Sequence, residues 1–209
     1  MKLYQYPLSP NCQKVTALAH EVGVTLSLVN LDVFKGEART PEILAKNPNG
    51  RVPILEDGDF VLWESNAILG YVAAKADRLD LAPAAPRERA EVDRWLSWGG
   101  AHFMPAVRKV TFERIVKKLA GLGPPDEAVV RAGIEEFAVV ASVLDRSLDG
   151  KEHLCGRVTI ADFSIVTYAA LCDGVGLDIE RYRNVRRWLG RMLARESVRS
   201  ALAAGREAA

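Results

Sequence analysis

Gly50-Arg51-Val52-Pro53-Ile54-Leu55, with Glu64-Ser65 nine residues further on, is the stretch that decides the fold. Val52-Pro53 places a proline at the entrance to a short apolar strand. A proline there has no N–H and cannot serve a central ladder. In the cis form of that bond, the residue before it turns its own N–H and C=O outward. An extended peptide pairs with two such groups as an added strand does. Glu64-Ser65 opens a helix, where unpaired N–H groups and the helix dipole attract a carboxylate. One end of the stretch suits a peptide backbone and the other an anion. Together they describe a site for a small acidic peptide.

The surrounding segments alternate. Residues 3–6 read as a strand and 10–22 as a helix, with Val15, Leu18, Ala19 and Val22 on one face. Gly23 ends that helix, and residues 25–31 form a second strand. Thr40-Pro41 starts a short helix to Ala45, Thr40 as cap and Pro41 as first helical residue. Asn47-Pro48-Asn49-Gly50 is a turn cluster, and Glu56-Asp57-Gly58-Asp59 joins two short strands as a hairpin. A helix over 64–75 closes the unit. The order matches an α/β thioredoxin-like N-terminal domain over 1–77. A Pro/Ala-rich linker follows over 78–86, then an all-α C-terminal domain over 87–209. There, residues 86–119 read as one long helical stretch kinked near Pro105. Gly121-Leu122-Gly123-Pro124-Pro125 breaks it. Residues 126–148 are a second long helix with Val129, Ala132, Phe137, Val140 and Leu144 apolar, 159–171 is the most apolar helix, and 184–204 gives one or two basic amphipathic ones. The Ala-rich tail is expected to fray.

Composition narrows the field. The chain of 209 residues is 49% hydrophobic and 26% charged with a net charge of +1, ordinary for a soluble protein. No bulk field favours nucleic acid or an anionic membrane, so neither is expected as a partner. The apolar runs are shorter than a membrane span, and the N-terminus enters a strand without a signal-like segment. Cys12, Cys155 and Cys172 are widely spaced and odd in number, which fits a reducing cytoplasm better than a disulfide framework. His20, His102 and His153 are isolated, so no metal is expected.

Four motifs then fall in order: Ser9-Pro10-Asn11-Cys12, Asn47-Pro48-x-Gly50-x-Val52-Pro53, Glu64-Ser65-x-Ala67-Ile68 and Thr159-Ile160-Ala161-Asp162. With these the chain resembles a cytosolic glutathione S-transferase, nearest to the serine-type phi and theta classes. The resemblance implies the glutathione transferase architecture, with glutathione as co-substrate and a cis proline at Pro53. It implies that Val52 bonds the cysteinyl backbone of glutathione, while Ser65 and helix N–H groups take the γ-glutamyl carboxylate and Glu64 its ammonium. The resemblance sets Arg39 where phi-class sequences have a lysine near the glycyl carboxylate and Arg51 where they have a glutamine beside the valine, and Ala38 replaces a usual histidine. Asn49 replaces the aromatic that locks two subunits in many classes; a homodimer is still implied, with a more polar contact. Thr159-x-x-Asp162 reads as a capping pair, for which family and bland interpretations agree.

Ser9 is read in two ways. With Pro10 it makes a standard helix start. By resemblance its hydroxyl instead donates to the glutathione sulfur and is the catalytic group. With a thiol pKa of about 8.5, only roughly 3% is thiolate at pH 7. Lowering it by about 2 raises that to roughly 75% and requires about 2.7 kcal/mol of preferential thiolate stabilisation. A hydroxyl donor and a helix N-terminus are groups of the right kind. Ser9-Pro10-Asn11-Cys12 also looks like a redox C-P-x-C motif whose first cysteine is serine. Cys12 is then a core residue or the partner in a mixed disulfide with glutathione.

The second substrate is expected between the domains, against the long helix, with Trp98, His102, Phe103, Arg108 and Phe112 as candidates. The function implied is a glutathione transferase of detoxification type, acting on a small, largely apolar electrophile. The alternatives are a glutathione-dependent thiol–disulfide oxidoreductase or peroxidase, and a non-catalytic transferase-like interaction protein.

Overall fold

Lys2-Leu3-Tyr4-Gln5 forms strand β1 (Lys2–Gln5), one of four strands in a mixed sheet of the computed structural model, which describes residues 1–207. The others are β2 (Ser27–Asn30), β3 (Ile54–Asp57) and β4 (Phe60–Trp63), in the spatial order β2-β1-β3-β4. β1 and β2 are parallel, so the chain needs a crossover, which α1 (Pro10–Glu21) supplies. β3 runs antiparallel to both β1 and β4. Asp57 pairs with Phe60, so Gly58-Asp59 makes the turn, with Gly58 at φ 65. The strand expected to start at Val52 starts at Ile54 instead, after the residue that has no N–H to give.

Side chains alternate across the sheet. Tyr4 and Ile54 share one face, where Ile43 of α2 (Pro41–Lys46) packs on them with Val29, Leu31 and Val61 at the margin. On the same strands Leu3 and Leu55 face the other way and are fully buried. So are Val15 and Leu18 of α1 and Ile68, Leu69 and Val72 of α3 (Ser65–Lys75), two helices that pack together. At the sheet's margin Glu56 accepts hydrogen bonds from Lys46 Nζ at 2.6 Å, Lys2 Nζ at 3.0 Å and Tyr4 Oη at 3.2 Å. Those donors, Lys46 and then Lys2 foremost, hold its carboxyl down to about 2.

The helical part begins with α4 (Pro86–Trp98) and continues through a π-helical turn (Gly99–Phe103), α5 (Met104–Thr111), a second π-helical turn (Phe112–Val116) and α6 (Lys117–Leu119). The disturbance expected near Pro105 takes the form of the first π turn. A wider turn accommodates a proline that cannot donate to the carbonyl four residues back. α7 (Glu127–Ser147) starts at Asp126, whose carboxylate caps Ala128 N and Val129 N. Its buried stripe is Val130, Gly133, Phe137, Ala141 and Leu144, one residue out of phase with the expected Val129, Ala132 and Val140. Gly133 explains the rotation. A Cβ there would come within 2.7 Å of Val110 Cγ2, so the stripe of α7 turns its smallest residue to α5. α8 (Ile160–Ala169) is buried at every position, and α9 (Arg183–Ala194) and α10 (Glu196–Glu207) follow. Among the described residues no helix is long and apolar enough to cross a membrane.

Contacts divide the chain into Met1–Ala84, joined by the segment from Ala194 onward, and Ala85–Leu193. The expected scheme gave 87–209 to the helical domain, whereas α10 groups with the sheet. Val198 and Ala201 of α10 are buried, and α10 packs along α1. The Ala-rich tail expected to fray continues α10 as far as Glu207, and its last two residues, Ala208 and Ala209, lie outside the described residues.

Asp162 is the polar centre of the helical unit, with no exposed surface. Its carboxylate accepts from Thr159 N at 2.9 Å, closing the capping box of α8, from Leu154 N at 3.1 Å and from Trp188 Nε1 at 2.8 Å. Asp162→Ala strands these donors in an apolar interior and is expected to lower the unfolding free energy by about 3 kcal/mol or more. Urea unfolding checks this, with Asp162→Asn losing less.

Candidate functional site

The register of the sheet collects the candidate residues. Tyr4 pairs with Ile54 and Ile54 with Trp63, so the exit of β1, the entrance of β3 and the exit of β4 lie at one end. β2 is parallel to β1 and leaves at the same end. From that end come Ser9, Val52-Pro53 and Glu64-Ser65, and the chain that goes on to Arg39.

Ser9 is the N-cap residue of α1 in extended conformation, yet its hydroxyl makes no capping bond. Its carbonyl takes the N–H groups of Cys12 and Gln13 at 2.9 Å. Cys12 has no exposed surface. Burial pushes its thiol up to about 11, against smaller lowering contributions from the Tyr6 backbone, the Ser9 hydroxyl and Lys14. It stays a neutral thiol at pH 7, the behaviour of a core residue.

The Val52–Pro53 peptide bond is cis. Among the described residues no hydrogen bond engages the Val52 backbone. Asn47 supports the turn before it. Its side chain donates to the Arg51 carbonyl at 2.7 Å and accepts from Asn49 N at 3.1 Å, and its carbonyl accepts from Gly50 N at 3.0 Å. Gly50 has φ 59, and a Cβ there would meet Arg39 Cγ at 3.2 Å. The stem of Arg39 therefore lies along the turn that carries Arg51. Both arginines are exposed, and among the described residues neither side chain has an ion-pair partner.

Glu64 sits at φ 70 and ψ 105, a conformation that L-residues avoid. Strain of this kind persists where surrounding structure imposes it. Here β4 ends one residue before and α3 begins one residue after, and the sharp reversal leaves the Glu64 side chain exposed at the helix start. Ser65 is buried, and its hydroxyl donates to Asn11 Oδ1 at 3.3 Å, tying α3 to α1. Beneath lies Lys14, 1% exposed, whose Nζ donates to Asn66 Oδ1 at 2.7 Å. Burial lowers the Lys14 pKa to about 7, partly offset by Glu64 and Cys12. Asn11, Lys14 and Asn66 were not singled out in the sequence. Lys14 stands one turn before Leu18, but between Gln13 and Val15 on a helix that is half polar the sequence carries no signal of its burial.

In the helical unit the five expected pocket residues separate. Phe103 is completely buried, 5.9 Å from the Trp98 ring and 6.1 Å from Phe137, so it serves the core and not a pocket. Trp98 is half-buried and lines a groove with Arg94, Trp95, Val143, Ser147 and Lys151. His102 and Phe112 are exposed within the two π turns, and Arg108 is exposed on α5. No cluster of three or more metal-ligating side chains occurs among the described residues.

A thioredoxin-like sheet with a cis proline and a helix start at one end, followed by an all-helical unit, defines the glutathione transferase architecture. A family profile described as "Glutathione S-transferase, N-terminal domain" matches residues 1–74. The chain is 35% identical to the probable glutathione S-transferase GSTF2 of Oryza sativa subsp. japonica, over 94% of this chain and 93% of that protein. Glutathione transferase F7 from Populus trichocarpa superimposes with a TM-score of 0.90 at 27% identity, covering 98% of each chain. Glutathione S-transferase I from maize, solved with an atrazine glutathione conjugate, gives 0.90 at 28% identity over 100% of this chain and 99% of that one. The chain belongs to the glutathione S-transferase family, with its relatives in the phi class.

Lys14 makes stability depend on pH. Its folded pKa of about 7 lies below the ordinary 10.5, so between these values the unfolded chain holds a proton that the folded chain has released. Stability therefore rises with pH across that window, and the cost of the buried ammonium is greatest below about 7. Thermal unfolding of Lys14→Met at pH 6 and pH 9 is expected to show a larger gain over the parent protein at pH 6.

Proposed function

We propose that the protein is a glutathione transferase that ionises glutathione beside Ser9 and presents the thiolate to a small, largely apolar electrophile. The observation that carries this is the gathering of Ser9, the unpartnered Val52 backbone and the start of α3 at one end of the sheet. Val52 N–H and C=O pair with the cysteinyl residue of the peptide as a short added strand does. The first N–H groups of α3 take the γ-glutamyl carboxylate, the Ser65 hydroxyl turns to it from Asn11, and Glu64 takes the ammonium. The unpaired guanidinium groups of Arg39 and Arg51 supply charge for the glycyl carboxylate. With no capping bond to hold it, the Ser9 hydroxyl is available to donate to sulfur. The start of α1 adds a favourable dipole, and the two lower the thiol pKa by preferring the anion. The thiolate then attacks the electrophile.

The same reading includes a cytoplasmic homodimer. Three free cysteines suit a reducing compartment. Phe60 and Trp63 lie exposed on β4, the edge of the sheet, as a subunit contact would require.

A thiol–disulfide oxidoreductase working through Cys12 is disfavoured by that residue's burial and raised pKa. Paired variants separate the two chemistries. Ser9→Ala is expected to lower the rate of conjugation of glutathione to a chloronitrobenzene about 10- to 100-fold, the equivalent of one hydrogen bond to a charged group. Cys12→Ser is expected to leave that rate within about twofold. A pH–rate profile should show the thiolate pKa rising in Ser9→Ala, and the opposite pattern in the two variants would overturn the serine mechanism.

A further inference from the structure

Lys14 has no part in the chemistry set out for Ser9, yet it is a buried cation on the helix that Ser9 begins. Removing an ammonium from water is expensive, and a methionine of similar length would fill the same space without a charge. Its surroundings indicate what the charge does. Nζ donates to Asn66 Oδ1 at 2.7 Å, and Asn66 is the second residue of α3. Ser65, the first residue of α3, is joined to α1 through Asn11. The ammonium is thus joined to the first turn of α3, the turn whose N–H groups the proposed binding uses.

We propose that Lys14 is a positioning residue for the γ-glutamyl carboxylate of glutathione, its buried ammonium locking the first turn of α3 through Asn66 and adding positive charge behind that turn's N–H groups. The inference rests on the reading that glutathione binds at the start of α3. A buried charge acts over several ångströms with little screening by solvent or salt, unlike a surface lysine. The charged and titratable groups acting on Lys14 are Glu64, at the start of α3, and Cys12, on its own helix. From α10, the buried Val198, Ala201 and Gly205 carry no charge, and Arg195 is engaged with Glu21 at the far end of α1.

Because the Lys14 pKa lies at about 7, its charge is present below neutrality and lost above it. A bound carboxylate favours the charged form, so binding above neutrality draws a proton onto Lys14, and affinity falls as pH rises. An arginine at this position stays charged throughout.

The test is calorimetric titration with S-methylglutathione, whose thioether carries no proton; its own ammonium titrates alike in every complex, so Lys14 is read as the difference between variants. The parent protein, Lys14→Arg and Lys14→Met are compared at pH 6 and pH 8, in buffers of different ionisation enthalpy. The parent protein is expected to bind about fivefold more weakly at pH 8 than at pH 6, as follows from a rise of about one pKa unit on binding, with net proton uptake. Lys14→Arg is expected to bind more tightly than Lys14→Met at both values, neither taking up a proton beyond that of the ligand's own ammonium. Parent-like affinity and pH dependence in Lys14→Met would reduce Lys14 to a structural residue. If Lys14→Met does not fold, as judged by circular dichroism, pH-independent binding by the parent protein overturns the inference. Absence of binding by all three proteins would sink the glutathione reading itself, and the role of Lys14 with it.

Discussion

The cross-strand row Tyr4–Ile54–Trp63 is the constraint on which the site depends. Ser9, Val52 and Glu64 are far apart in sequence, and none of them touches its neighbours by virtue of local structure. They meet because three strands end at one level. The pleat makes that level unforgiving. A slip of one residue between β1 and β3 would turn Tyr4 and Ile54 away from Ile43 and put Leu3 and Leu55 in their place. The apolar alternation that builds the core therefore also sets the depth at which the helix starts and the Val52 backbone are presented.

Two buried polar groups show how differently the two units handle charge. Asp162 is surrounded by donors from its own cap, from the preceding loop and from Trp188, so its cost is repaid in hydrogen bonds and it fastens three segments together. Lys14 has the opposite balance. Burial outweighs its partners strongly enough to bring its pKa to about 7. A group held so far from its ordinary value is seldom selected for stability alone, and its place beneath the first turn of α3 gives it a use there. Glu64, strained at φ 70 at the start of α3, belongs to the same pattern: two local costs fall within the same turn of the fold.

Much of this was legible in the chain itself. Pro10 and Pro41 marked helix starts to the residue, Gly58 the hairpin, and Thr159 with Asp162 the capping box. These are signals in which one residue type satisfies one backbone requirement. The face of α7 was misread because Val129, Ala132 and Val140 make as good an apolar stripe as Val130, Gly133 and Ala141. Only the close approach of Val110 to Gly133 decides between them, and that is a property of the partner helix. Lys14 was missed for a related reason. A lysine in a helix reads as surface until tertiary packing encloses it. The π turns at Gly99–Phe103 and Phe112–Val116 carry no residue pattern of their own beyond the nearby Pro105.

The membership of α10 in the first unit has an effect on how the chain is assembled. The sheet, α1 and α3 come early in synthesis, but the helix that covers the remaining flank of α1 comes last, after the whole of Ala85–Leu193. In chain order the helical unit is an insertion inside the unit that carries the site. A nascent chain therefore holds the sheet and its Ser9 end with one side of α1 uncovered until α10 arrives, while the helical unit, continuous in sequence, has all its own parts beforehand. Residues near the end of the chain, such as Ser197 and Arg195 bonding Glu21, are thus closing contacts of the first domain and not trailing decoration of the second.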